Sequence, residues 1–337
     1  TRPARQAGKA PELAGVEAWL RQLRDLAEGL GEWAFYGAVA LIALALIKRF
    51  PYHLFVKTHK WLAVAYLVLA FHTVVLAQYA YWSQPVGWVL ALLVAAGTVS
   101  AALVLFKRVG AHRKAAGRID TLTYYPTLQV LETAIQMEGA WAGHRAGQFA
   151  FVTSNPREGA HPYTIASAWD PALRRIVFIT KALGDHTRRL HERLKPGLPV
   201  VVEGPYGCFD FEDQKPVQIW VGAGIGITPF IARMKQLAGQ PHTQQIHLFH
   251  PTSDFDESAI DKLTADALAA GVQLHVLHSR RDGRLDAERI RQAVPKWKQA
   301  SLWFCGPSPF GAALRDAFVS RGPIKASDFH QEVFEMR

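Results

Sequence analysis

Apolar positions are spread unevenly along this chain. Between positions 33 and 106 they run together in three blocks, about Trp33 to Ile47, Trp61 to Trp82 and Val86 to Phe106, and most charge lies outside them. A bilayer core takes roughly 20 helical residues per crossing. The blocks therefore predict three membrane-spanning helices over 33–106, the first short enough to need its flanks. Residues 1–32 are polar and read as a separate N-terminal segment. A basic linker over 107–118 follows. The rhythm then shortens to the runs "TLQVLETAIQM", "GQFAFVTS", "RRIVFIT" and "LPVVVEG", punctuated by Gly, Pro, Asn and Asp. Closely spaced strands with few helices predict a small antiparallel barrel over 119–214. From 215 to 337 the strands "VQIWVG", "QIHLFH", "VQLHVLH" and "SLWFCG" alternate with helical stretches. That alternation predicts an α/β domain with a parallel sheet.

Charge adds an orientation. Lys48, Arg49, Lys57 and Lys60 lie between the first two blocks, Lys107, Arg108, Arg113 and Lys114 follow the third, and the loop "SQPVG" carries none. Positive residues stay on the cytoplasmic side, so the soluble part is expected there. The polar start would then lie outside, although it carries Arg2, Arg5, Lys9, Arg21 and Arg24. The formal net charge of +10 is spent largely beside the spans, on topology and anionic lipid, so nucleic acid is not an expected partner. Cys208 and Cys305 have no metal-type spacing and are expected to be reduced thiols. No signal peptide is visible, and with Thr1 in place of an initiator Met the chain is expected to be a fragment or a processed form.

Several short stretches carry candidate chemistry. "VGAGIGITPF" places Gly222, Gly224 and Gly226 between a strand and a helix, where a backbone must turn tightly and approach a pyrophosphate at a helix N-terminus. The third glycine comes one position early for the common G-x-G-x-x-G pattern, and a structural turn also fits. Ser279, Arg280 and Arg281 follow a predicted strand at its carboxyl end, where a hydroxyl and a guanidinium fork suit a ribose 2′-phosphate and favour NADPH over NADH. A solvated basic turn fits equally. In "HPYTIAS", the Tyr163 ring can lie against a flavin, the Thr164 hydroxyl can bond its polar edge, and His161 can face a phosphate; core packing is the bland alternative. "KALGDHTRRL" sets Gly184 and Thr187 at the start of a helix, again suited to phosphate.

Taken in order, HPYT, the G-x-x-T of "GDHT", GPYG, G-x-G-x-G-x-T-P, Cys305-Gly306-Pro307 and the ending "FHQEVF" resemble the ferredoxin-NADP reductase superfamily. The H-P-[FY]-T form beside membrane spans resembles its membrane-bound branch, the NADPH oxidase and ferric reductase family. The resemblance implies that His161, Pro162, Tyr163 and Thr164 bind FAD, with Gly184 and Thr187 on its pyrophosphate. Gly222, Gly224, Gly226, Thr228 and Pro229 would hold the NADPH phosphates. Gly204, Pro205, Gly207, Gly306 and Pro307 would complete the cofactor-binding set. Cys305 would lie near the nicotinamide and Phe334 would cover the flavin ring. A bacterial inner membrane is the implied location.

Two histidines sit where ionisable groups are costly. His59 and His72 are separated by 13 residues, or about 20 Å along a helix. Imidazole is a common axial ligand, and the family carries a His pair at this spacing, so the resemblance implies two b-type haems. Their side chains point about 140° apart on an ideal helix, and two bis-imidazole haems need four ligands, so the rest of the haem set is expected in a longer parent protein. One solvated and one hydrogen-bonded histidine is the alternative. The first reading is thus a transmembrane flavocytochrome passing electrons from NADPH through FAD and haem b to ferric chelate or oxygen. The second keeps the flavin enzyme, makes the spans an anchor and hands electrons to a partner redox protein or diffusible flavin. A third is a nucleotide-binding membrane scaffold without turnover. No EF-hand loop is present to suggest direct calcium control.

Overall fold

The computed structural model describes residues 15–47, 57–106 and 108–333. The chain divides into two compact units, one running to Ala111 and the other from His112 to Met336.

The first unit is helical. Gly15–Leu46 is one helix, so the segment expected to be polar and separate before Trp33 is continuous with the first span from Gly15 onward. Three stretches are long and apolar enough to cross a membrane: Gln22–Leu46, Lys57–Leu76 and Pro85–Leu105. The second block is shorter than its apolarity suggested. Its helix stops at Leu76, where Ala77 turns to ψ 136°, and Tyr79–Trp82 forms a separate turn. The third begins at Pro85, one residue before the expected Val86; proline suits a first helical position because its missing N–H would be unpaired there anyway. Trp33, Leu46, Trp88 and Leu92 are exposed. A helix apolar all round has no polar side to give to water.

Glycine notches fit these helices together. A Cβ on Gly31 would lie 2.0 Å from Nδ1 of His72, and one on Gly97 would lie 1.9 Å from the Tyr66 hydroxyl. The hydroxyl donates to the carbonyl of Val94 at 3.1 Å. Both rings occupy space that only a missing side chain leaves, so small residues let the helices approach closely.

The second unit holds two sheets. The first has the order β4-β3-β6-β1-β2-β5, from β1 (Lys114–Tyr125), β2 (Val130–Met137), β3 (Phe149–Thr153), β4 (His161–Thr164), β5 (Arg175–Lys181) and β6 (Pro199–Tyr206). Its pairs are antiparallel, and a bridge between Ile165 and Phe178 joins the two ends. Ile119, Ile135, Ile165, Ile176, Val200 and Val202 fill the interior. The expected linker over 107–118 needs correction, because Lys114–Arg118 already belongs to β1 and pairs with β6. Its inward positions there are Ala115 and Gly117; such small residues give little apolar signal.

The second sheet is parallel, in the order β11-β10-β7-β8-β9, from β7 (Val217–Gly222), β8 (Gln245–Thr252), β9 (Gln273–His278), β10 (Ala300–Gly306) and β11 (Phe329–Val333). β7 is buried along its whole length, as a strand covered on both faces must be. Trp220, Phe230, Met234 and Leu263 pack one face, and Ile219, Ile290, Phe304 and Phe318 the other.

Candidate functional site

β4 places the H-P-Y-T side chains. It pairs with β3, Phe151 opposite Pro162 and Phe149 opposite Thr164, and side chains alternate along a strand. Among the described residues neither the buried hydroxyl of Thr164 nor the buried Nε2 of His161 has a partner. The Tyr163 hydroxyl lies 3.0 Å from Nε2 of His186, whose Nδ1–H donates to Oε2 of Glu158 at 2.8 Å. Arg193 donates to the other oxygen of Glu158. The His161 and His186 rings stack 3.6 Å apart. Burial lowers the pKa of His161, with the neighbouring His186 adding to it. Burial pushes the Tyr163 phenol up. For Glu158, burial works upward, but bonds from His186 and Arg193 outweigh it and hold the carboxyl below its usual range.

Two buried polar atoms without partners are costly unless something else satisfies them. They leave β4 suited to a polar, ring-bearing group such as a flavin. Gly184 is open to solvent on its side-chain side. The Thr187 hydroxyl, however, accepts from the N–H groups of Leu183 and Gly184, both at 3.0 Å. It caps the short helix Asp185–Arg188 rather than standing free for a phosphate. Gly207, with φ 105°, follows β6, and Arg113 donates to the Pro205 carbonyl at 3.2 Å, pinning the end of that strand.

The glycine loop divides into working and packing parts. Gly224 has φ 55° and open space around its missing Cβ, so it presents bare backbone outward. Gly226 instead lies on β10, where a Cβ would meet the Cys305 carbonyl oxygen at 2.2 Å. Thr228 is buried and donates its hydroxyl to the Ile225 carbonyl at 2.8 Å, and Pro229 is buried beside it. Gly226, Thr228 and Pro229 thus pack into the loop and its helix, while the half-buried Gly224 leaves its backbone uncovered on the side where a Cβ would stand. Nδ1–H of His250 donates to the Gly222 carbonyl at 2.8 Å, fixing the loop's first turn. A cavity of about 350 Å³ opens in front of Gly224 and Ile225, walled by Lys181, His250, Thr252 and Asp254 among others. Lys181, from β5, pairs with Asp254 at 2.7 Å across it.

At the end of β9, Ser279–Asp282 forms a short helical turn. Arg280 is exposed, whereas Arg281 turns back onto its neighbour Asp282 at 2.8 Å. The two arginines are thus not equivalent. Gly306, with φ 158°, sits against Ala223, and Pro307 caps the helix Ser308–Arg315.

Cys305 is fully buried, and burial, with the Glu332 charge behind it, pushes its thiol well above the usual range. The thiol therefore stays protonated in the core of the sheet. Its register partner on β11 is Glu332, which sequence reasoning missed. Glu332 faces a cavity of about 250 Å³ with Cys208, Phe209, Trp303 and His330. Its Oε2 is buried and has no partner among the described residues, and burial pushes its pKa up to about 7. Phe334 lies outside the described residues.

In the helical unit, His72 donates Nδ1–H to the Ala27 carbonyl at 2.8 Å. This leaves Nε2 to act as an acceptor or ligand. His59 lies one residue before the break at Lys60, and His53 is outside the described residues. The described histidines supply two imidazoles, where two bis-imidazole haems require four. The described residues do not complete a two-haem set.

Residues 118–210 match an FAD-binding domain family. The chain is 32% identical over 172 residues to an NADPH oxidoreductase of Mycobacterium tuberculosis, a match covering 49% of this chain and 45% of that protein. It is 29% identical over 150 residues to a carnitine monooxygenase reductase subunit of Escherichia coli, covering 44% of each. The chain spans less than half the length of these relatives. The FAD/NAD-binding domain of a nitric oxide dioxygenase from Vibrio cholerae superposes with a TM-score of 0.56 at 19% identity, covering 65% of this chain and 98% of that one. The two sheets of this chain therefore form a ferredoxin-reductase-like FAD/NAD-binding fold, with the FAD-binding part in the barrel.

Proposed function

We propose that this chain is the NAD(P)H-oxidising flavoprotein of an electron-transfer system, attached to a membrane by its apolar helices and handing electrons to a partner redox protein. The observation that carries the reading is one cavity walled by both halves of the fold: Lys181 from the FAD-type barrel and Gly224 from the nucleotide loop. Bound FAD would supply the conversion of a two-electron hydride into single electrons. The protein's part is placement. His161, Tyr163 and Thr164 present buried polar atoms to the flavin; Gly224 and Lys181 offer backbone and ammonium to a pyrophosphate; Arg280 sits where a 2′-phosphate is read. A neutral Glu332 carboxyl can donate a hydrogen bond to an amide such as that of nicotinamide.

Similarity to an NADPH oxidoreductase and to monooxygenase reductase subunits supports this reading over a haem route. Anaerobic titration tests it. NADPH is expected to bleach the visible band of bound FAD, and reduction of an added one-electron acceptor to follow. Purified chain that takes up no FAD would overturn the proposal.

A second reading is favoured by one contact. A histidine whose Nδ1–H is held by a carbonyl is oriented as metal-ligating histidines are, and His72 is so held. On that reading the chain belongs to the NADPH oxidase and ferric reductase branch, with the soluble unit cytoplasmic and ferric chelate or oxygen as acceptor. A full-length preparation without low-spin haem bands would remove it.

A further inference from the structure

Glu158, His161 and His186 come from separate parts of the barrel. Glu158 lies between β3 and β4, His161 opens β4, and His186 lies in the turn after β5. One nitrogen of each imidazole and one Glu158 oxygen all lie within 4.8 Å of one another. We propose that these three side chains form a binding site for a divalent transition metal of the zinc class.

The chemistry of the donors selects the ion. Two imidazoles and one carboxylate suit zinc, cobalt or nickel better than calcium or magnesium, which prefer all-oxygen shells. The contact between Nδ1 of His186 and Oε2 of Glu158, 2.8 Å, marks the place where a metal would replace the shared proton. The groups around this contact hold both ligands in position. Arg193 engages the other carboxylate oxygen, and the Tyr163 hydroxyl lies 3.0 Å from the far nitrogen of His186. With metal on Nδ1, that far nitrogen carries the proton and donates it to Tyr163, the arrangement by which outer partners fix a ligating histidine. His161 supplies the third donor: its Nε2 is buried and has no partner among the described residues. Its ring must tilt from the parallel stack to point a lone pair at the ion. Three protein ligands leave a coordination position open for water or a phosphate oxygen. The bound ion would clamp the β3–β4 loop to the turn after β5.

The inference goes beyond the flavin reading and shares His161 with it, so metal and flavin would compete for that imidazole. Co²⁺ is added to the full chain in detergent after removal of metals and flavin. One equivalent is expected to bind with visible bands that excess Zn²⁺ erases. Glu158→Gln and His186→Gln should each weaken Co²⁺ binding at least tenfold, while His112→Gln, at an exposed position outside the cluster, leaves it unchanged. Zn²⁺ should raise the unfolding temperature of the parent chain and not that of Glu158→Gln. Absence of saturable binding, or full affinity retained in both variants, overturns the site. FAD uptake is scored on the same samples, so loss of one activity is read separately from the other.

Discussion

His250 on β8 and Gly222 at the end of β7 are joined side chain to backbone, Nδ1–H to carbonyl oxygen, at 2.8 Å. The bond ties the first turn of the nucleotide loop to the neighbouring strand. His250→Phe fills similar volume but removes the donor, leaving a buried carbonyl unsatisfied at a cost of about 1 to 3 kcal/mol. The KM for NADPH in flavin reduction should rise several-fold while FAD content holds.

Acid should weaken the soluble unit through its buried histidines. Burial depresses the pKa of His144, His247 and His250 below the ordinary 6.5. These rings are held neutral in the fold, so their contribution is whole above about pH 6.5 and lost as pH falls through the lower folded values. Chemical denaturation across pH 7 to 5 should show falling stability. The slope should be shallower in His250→Phe.

Glu332 works with the opposite sign. Its folded pKa, about 7, stands above the ordinary 4.5, so the stability associated with its proton is full below the unfolded value and is lost as pH rises through about 7. Glu332→Gln keeps a neutral side chain at every pH. It should gain roughly 1 to 3 kcal/mol over the parent above neutrality, with little difference in acid.

Gly224→Ala and Gly226→Ala should separate binding from packing. At Gly226 a Cβ would press on the Cys305 carbonyl, and the expected loss is about 2 kcal/mol or more of stability, in the range of overpacked cores. At Gly224 the space is open and only the positive φ resists, costing about 1 kcal/mol. There the main effect should be on KM for the nicotinamide cofactor.

Arg280→Ala should raise the KM for NADPH about tenfold or more and leave that for NADH nearly unchanged, because a 2′-phosphate is the only group that distinguishes them. Arg281→Ala should do less, since Asp282 already holds that guanidinium. Equal effects on both cofactors would remove the 2′-phosphate assignment.

Gly31→Val should force the His72 ring away from the first helix and break its bond to Ala27. Thermal unfolding in detergent should fall relative to a control substitution at Gly37, around which nothing lies within 4 Å.

Much of this architecture was readable in residue order. Uninterrupted apolar blocks mark long apolar helices, alternating short runs mark a barrel, and strands buried on both faces leave continuous apolar words such as "VQIWVG". The motif sequence HPYT, GDHT and G-x-G-x-G-x-T-P located where cofactors are expected, because local turns and strand ends are set by nearby residues. Other features carried no local signal. β1 was read partly as linker because alanine and glycine face its interior. The split between Gly224 and Gly226 depends on where β10 runs, and Cys305 is buried because the sheet closes around it. The pairings Lys181 with Asp254, Glu332 with Cys305 and Glu158 with His186 join residues distant in sequence. Chain order determined the elements and their chemistry; only tertiary packing decided which of those groups meet, since burial and hydrogen bonding between remote segments exist in the folded chain alone.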